Sequence, residues 1–204
     1  MTNNVENIGL YLSPGREFVR PYIERELHGI DLLDATAGAV GFTVAVLAPG
    51  EDVPTCLTGD VAVLECPNVV GTGMSGLPMQ IASAIAGGRF FHVKNADARI
   101  STIHAVDVAK AVKLVIGHPG RHVVTDGCDP TVSEFAEALA WRVNQRRIYT
   151  LKACCAKWLM DRCLFELCNT GMIADGRAFI EMFDFRPVAV TEYLRTHVYD
   201  DESL

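Results

Sequence analysis

The chain has 204 residues, half of them hydrophobic, with a formal net charge of −7 and an isoelectric point near 5.3. That length allows one domain, or one domain with a small lobe, and the apolar share is enough for a full core. The acids are spread along the chain, so it lacks the positive face that a general nucleic-acid or membrane-surface binder needs.

Residues 7–13 read as a short strand broken by Pro14-Gly15. The spacing of Phe18, Tyr22, Ile23 and Leu27 predicts a helix over 17–27, closed by Gly29. Short apolar runs at 30–33, 42–47 and 61–64 predict three more strands. Pro49-Gly50 and Cys66-Pro67 end the last two. The runs are β-branched and continuous rather than alternating, which suits strands buried on both faces of a parallel sheet. A helix is expected over 77–85, strands at 90–93 and 101–104, a helix over 107–116 capped by Asp107, and a strand at 122–125. Thr131-Val132-Ser133-Glu134 is a capping box that opens a helix over 134–143. Helices over 153–167 and 190–196 complete an α/β order.

The seven cysteines are an odd number, at 56, 66, 128, 154, 155, 163 and 168, without a Cys-x-x-Cys pair. Neither a disulfide framework nor a zinc site fits that spacing, and free thiols point to a reducing, cytoplasmic setting. The polar, acidic N-terminus does not read as a signal peptide, and no apolar run is long enough to span a bilayer. Six scattered histidines form no His-Glu-x-x-His, so no metal is expected. Cys154-Cys155 lies between Lys152 and Lys157, which could activate a thiol, but burial in helix packing is the preferred reading. Arg142, Arg146 and Arg147 are read as a solvated helix end, and Ser13, Ser75 and Ser101 lack a Gly-x-Ser-x-Gly elbow.

Four segments carry a family resemblance. Val63-Leu-Glu-Cys-Pro-Asn-Val-Val-Gly71-Thr-Gly-Met74 resembles a strand ending in Leu-Arg-Pro with a Val-Tyr-Gly-Pro-Gly-like turn. Arg99-Ile-Ser-Thr-Ile-His104-Ala-Val-Asp107-Val-Ala-Lys-Ala111 resembles an Arg-x-Phe-x-His-Val-x-Asp-x-Ala-x-Ala segment. Val123-Val-Thr-Asp-Gly127, with the helix after Pro130, looks like a Tyr-Asn-Val-Gly-x-Gly strand and its helix. Phe185-Arg-Pro187 with Glu192-Tyr-Leu is similar to a Gly-Trp-x-Pro closing motif. In that order they resemble the C-terminal half of the extended short-chain dehydrogenases/reductases, the NAD-dependent epimerase/dehydratase family. The resemblance implies a reduced Rossmann-like parallel sheet with helices on both faces and a small C-terminal lobe. It divides the chain into a Rossmann-like part, 1–74, and a lobe-bearing part, 75–204, packed as one unit.

Three departures bear on function. The three glycines of the family's Gly-x-x-Gly-x-x-Gly loop align with Pro14, Glu17 and Arg20. Those glycines let the backbone approach a pyrophosphate at a helix N-terminus; proline removes a donor and glutamate adds a like charge. The family's Tyr-x-x-x-Lys proton relay is missing, since Tyr11, Tyr22, Tyr149, Tyr193 and Tyr199 are followed four residues on by Gly15, Glu26, Ala153, His197 and Ser203. The family's phosphate arginine falls on Ile100; Arg99 is one position off, which on a strand turns the side chain to the other face.

The resulting expectation is a non-catalytic chain of this type, with no catalytic residue, no metal and no bound cofactor, acting by binding or assembly. The alternative is an NAD(P)-dependent epimerase, dehydratase or reductase on a nucleotide-sugar-like substrate, with relocated chemistry. Its cleft would be lined by Pro67, Asn68, Val69, Gly71, Thr72, Asn95 and Arg99. The gap between Leu47 and Asp60 is expected to leave a sheet face poorly covered, and homo- or hetero-oligomer formation is expected through the N-terminal third.

Overall fold

The computed structural model describes residues 7–36, 41–57, 59–143 and 147–196. Arg146, one of the three clustered arginines, lies outside them. Five parallel strands form the main sheet: β1 (Asn7–Leu12), β2 (Asp31–Asp34), β3 (Phe42–Leu47), β4 (Asp60–Glu65) and, later in the chain, Gly120–Val123. Leu10 pairs with Val44, Val44 with Ala62, and Leu64 with His122. All six residues of β3 are buried, as its unbroken apolar run requires of a central parallel strand.

After β1 a 3-10 turn, Glu17–Val19, leads into α1 (Arg20–Glu26), with Pro21 in its first turn. Then follow β5 (Val69–Val70), α2 (Gly76–Ala86), β6 (His92–Val93), β7 (Ile103–His104) and α3 (Ala105–Leu114). β8 (Gly120–Val123) closes the sheet. Beyond it lie α4 (Val132–Arg142), β9 (Thr150–Leu151), α5 (Ala153–Leu159), α6 (Arg162–Thr170), α7 (Arg177–Phe183) and α8 (Val190–Thr196).

The sheet order is β2-β1-β3-β4-β8. The chain moves outward from β1 to β2 and returns to the other side of β1 for β3. The order therefore reverses between β1 and β3, and in open α/β sheets the crevice beyond the strands' carboxyl ends at that point is where ligands bind.

One sheet face packs Ile8, Leu10, Val44, Val46 and Leu64 against Tyr22 and Ile23 of α1, Val108 and Val112 of α3, and Phe179 of α7. The expected poorly covered face is corrected. Phe42, Val44 and Val46 are covered by the chain's own helices. On the opposite face, Thr43, Ala45 and Leu47 are at most 1% exposed, with Val53 and Leu57 of the 51–57 segment packed on that side. A second core joins Ile81 and Ile85 of α2, Phe135 and Leu139 of α4, Leu164 of α6 and Leu194 of α8. The first core draws on residues both before and after 74, since α3, α7 and β8 return to the first sheet.

Two helix boundaries differ from the sequence reading. α3 starts at Ala105, with His104 as its cap: Nδ1 accepts from the Val106 N–H at 3.2 Å. Asp107 lies inside the first turn, where its buried carboxylate accepts from Lys110 Nζ (2.7 Å) and the Val188 N–H (3.0 Å). The helix expected over 153–167 is two helices. Met160 is extended, and Asp161 caps α6 by accepting from the Cys163 and Leu164 N–H groups. The capping box at Thr131 and Glu134 is present in full.

Candidate functional site

The crevice at the order reversal is framed by the loop after β1, the Pro49-Gly50 turn after β3 and Cys66-Pro67 after β4. Gly15 has φ +82°, and a side chain there would meet Ser75 Oγ at 2.9 Å; that same hydroxyl donates to the Gly15 carbonyl. Two of the loop's amides are bonded within it: the Arg16 N–H donates to the Ser13 carbonyl (2.9 Å) and the Val19 N–H to the Arg16 carbonyl (3.0 Å). Arg16 then reaches from the end of β1 to the end of β4, past the intervening β3, and Nη2 donates to the Cys66 carbonyl at 2.6 Å. Burial lowers its guanidinium pKa, and the Cys66 and Glu51 groups pull it back up. The Cys66 thiol beneath is pushed by burial to about 12. Ser13, 2% exposed, has no partner for Oγ among the described residues.

In Rossmann-type folds a dinucleotide's pyrophosphate lies at the turn after the first strand. Its place needs free amides at a helix N-terminus and a backbone without side chains. This loop has Pro14, the Arg16 and Val19 amides bonded within it, a seven-residue helix preceded by a 3-10 turn, and a guanidinium that reaches across the sheet end.

The neighbouring groove differs. A cavity of about 220 Å3 is lined by Leu10, Tyr11, Leu12, Glu17, Arg20, Asp34 and Thr36. Asp34, the last residue of β2, accepts from the Thr36 Oγ1 (2.7 Å) and N–H (2.9 Å), and these bonds hold its carboxyl below the usual value. An acid about 20 residues past the first strand, at the end of the second, is where this architecture takes ribose hydroxyls. The sequence reading missed Asp34, although its signal was there: an acid closing the apolar run Ile30 to Leu33. Arg20 lines this groove and pairs with Glu24 at 2.7 Å.

Of the proposed cleft residues, Asn68 and Arg99 have side chains bonded to the chain itself. Pro67, Asn68 and Val69 are buried. Asn68, at φ 29°, donates Nδ2 to the Ser101 carbonyl (2.8 Å) and lies 3.7 Å from Met172 Sδ. Gly71 packs where a side chain would meet Ala105 Cβ at 2.9 Å, and the Thr72 N–H donates to Tyr22 Oη at 3.0 Å. Asn95 is exposed in the turn after β6, at φ 66°. Arg99 is exposed and its Nη1 donates to the Asp129 carbonyl (2.8 Å), whereas Ile100 is fully buried. The segment 171–176 joins the two sides: the Met172 N–H donates to the Arg99 carbonyl and the Met172 carbonyl accepts from the Ser101 N–H, each at 2.8 Å.

No family model and no curated protein matches the sequence. Solved structures do. A UDP-N-acetylglucosamine 4-epimerase from Bacillus cereus aligns with a TM-score of 0.60 at 10% identity, covering 94% of this chain and 97% of that one. RMD from Pseudomonas aeruginosa, complexed with NADPH, also scores 0.60, at 11% identity over 94% and 95%. The UDP-glucose 4-epimerase of Thermotoga maritima scores 0.54 at 14% identity over 95% and 76%. The chain therefore has the Rossmann-like α/β fold of the nucleotide-sugar epimerase structures, a parallel five-stranded sheet flanked by helices. At these identities the likeness is one of fold. Among the described residues no helix is long and apolar enough to cross a membrane.

Proposed function

We propose that this chain is a non-catalytic protein of the epimerase/dehydratase fold that acts by binding or assembly. The observation that carries the reading is Arg16 on the Cys66 carbonyl, at the place where the fold's dinucleotide pyrophosphate would lie. The absence of any Tyr-x-x-x-Lys in the sequence supports it independently. The association surface belongs to the N-terminal third, where β2 forms the open sheet edge and Leu33 is 43% exposed. Titration of the purified protein with NAD(H) and NADP(H) in a calorimeter should give no saturable heat. Micromolar binding of either would overturn the reading.

A second reading, an NAD(P)-dependent enzyme with relocated residues, is favoured by the groove at Asp34 and Thr36. Arg16→Ala separates the two. If Arg16 bound phosphate, the variant would lose nucleotide affinity that the native chain possesses. If Arg16 fills the crevice, the variant does not bind more weakly than the native chain.

A further inference from the structure

Away from the sheet and its crevice, α5 presents two adjacent thiols. The expectation that Cys154 and Cys155 are buried in helix packing is corrected: both are exposed, and their Sγ atoms lie 3.8 Å apart. Of the chain's other cysteines, Cys66 and Cys168 are buried, and burial pushes their thiols to about 12 and about 11. Those two are inert hydrophobes, whereas the α5 pair is accessible from outside.

What can two such sulfurs do together? A disulfide is a poor answer. Consecutive Cα atoms across a trans peptide are about 3.8 Å apart, below the roughly 4.4–6.8 Å that disulfides span. The sulfurs would also have to close to about 2.05 Å, distorting the first turn of α5. A single bridging atom is a good answer. Bonds of about 2.3 Å at the roughly 95–100° angle of a pyramidal trivalent centre hold two sulfurs about 3.4–3.5 Å apart, a small side-chain rotation from the 3.8 Å separation present. A tetrahedral zinc ion takes four donors, and among the described residues no group of three or more His, Cys, Asp or Glu is placed to hold one. A monosubstituted trivalent arsenic centre needs only two thiolates, because it carries its third substituent with it.

We propose that Cys154 and Cys155 form a dithiol site for soft, monosubstituted trivalent electrophiles of the arsenic(III) type. This is independent of the functional reading above. The chemistry balances without a redox partner. Two As–S bonds form, the bond from arsenic to its oxo oxygen is lost, and that oxygen leaves as water with both thiol protons. The Cys155 thiol is held up by its hydrogen bond to Cys154 and by the charge there, against the pull of Lys152. Trp158 stands one helical turn from Cys154 and is 88% exposed. Its indole gives an aryl substituent an apolar partner and supplies an optical signal.

The test uses the native full chain and phenylarsine oxide, read by intact-protein mass. The expected result is one adduct, of reagent less water, that survives excess 2-mercaptoethanol and is released by dithiothreitol. Cys154→Ser and Cys155→Ser should each lose the retained adduct, whereas Cys163→Ser should keep it. Both α5 thiols are exposed, so serine leaves the core untouched. Arsenical binding should shift the tryptophan emission, and Trp158→Phe should abolish that shift. A retained adduct on Cys154→Ser, or none on the native chain, would overturn the site. Zinc displacing the arsenical at equal concentration would overturn the choice of ligand.

Discussion

Single side chains shape the crevice at the order reversal. Arg16 ties the end of β1 to the end of β4 through one charged hydrogen bond, and Arg16→Ala leaves the Cys66 carbonyl without it. The expected loss is about 2 kcal/mol of unfolding free energy, read as a lower urea midpoint with an unchanged slope. Gly171 is equally constrained. Its φ is +69°, and an added Cβ would fall on the Arg99 carbonyl oxygen, which also accepts from the Met172 N–H. Gly171→Ala should therefore loosen the 171–176 segment, seen as faster hydrogen exchange at Met172 and Ser101. Titration adds a signed prediction at Glu134. Its hydrogen bonds with Thr131 hold its carboxyl below the ordinary 4.5. A depressed folded value means the stabilisation is present above the unfolded value and is lost as pH falls through the folded one. Glu134→Gln should flatten the loss of stability between neutral pH and the acid side. Asp126, raised by burial, works with the opposite sign: its contribution declines as pH rises above the ordinary 3.8.

Elements depend on caps and on aromatic packing. α4 opens with Thr131, whose side chain accepts from the Glu134 N–H at 3.1 Å while Glu134 reaches back to the Thr131 N–H at 2.8 Å. Thr131→Ala should cost about 1 kcal/mol in chemical unfolding. α7, which sequence patterning left unassigned, lies against β8 and brings Phe179 within 4.7 Å of Phe183 and 5.2 Å of Phe185. Phe179 is 2% exposed, so Phe179→Ala should cost about 3–5 kcal/mol. Seven residues with a weak apolar stripe do not announce a helix. The partners that stabilise it, His122 and Phe185, come from elsewhere in the chain.

At the scale of the molecule, a Rossmann-like sheet persists although little chain separates β2, β3 and β4. The second face of β3 is covered from the 51–57 segment, with Val53 and Leu57 packed against Ala45, Leu47 and Val63. Association then has the β2 edge to use, where Asp31 and Asp34 flank Leu32 and Leu33. Charges of this kind oppose continuous strand pairing, so a contact there would be made by side chains rather than by extending the sheet. Light scattering at micromolar concentration should show a mass above the monomer, and Leu33→Asp should lower it. A monomer mass for the native chain would remove assembly from the proposed function.

Sequence alone determined the strands of the sheet, the capping box, the departure from a glycine loop and the missing Tyr-x-x-x-Lys. Each is a local property: a continuous β-branched run, a Thr/Glu spacing, an identity at a position. It also foretold that Arg99 and Ile100 face opposite ways, because alternation along an extended chain is local too. Tertiary structure decided the rest. That Arg16 spans to Cys66, 50 positions away in sequence, depends on β4 lying one strand beyond β3. That Asp34 lines a groove with Arg20 depends on β2 pairing with β1. The break at Met160 and the exposure of the α5 thiols follow from which helix faces find a core, and spacing along one helix cannot say that. Local preference is written residue by residue, whereas burial and hydrogen-bond partners are supplied by chain that is distant in sequence.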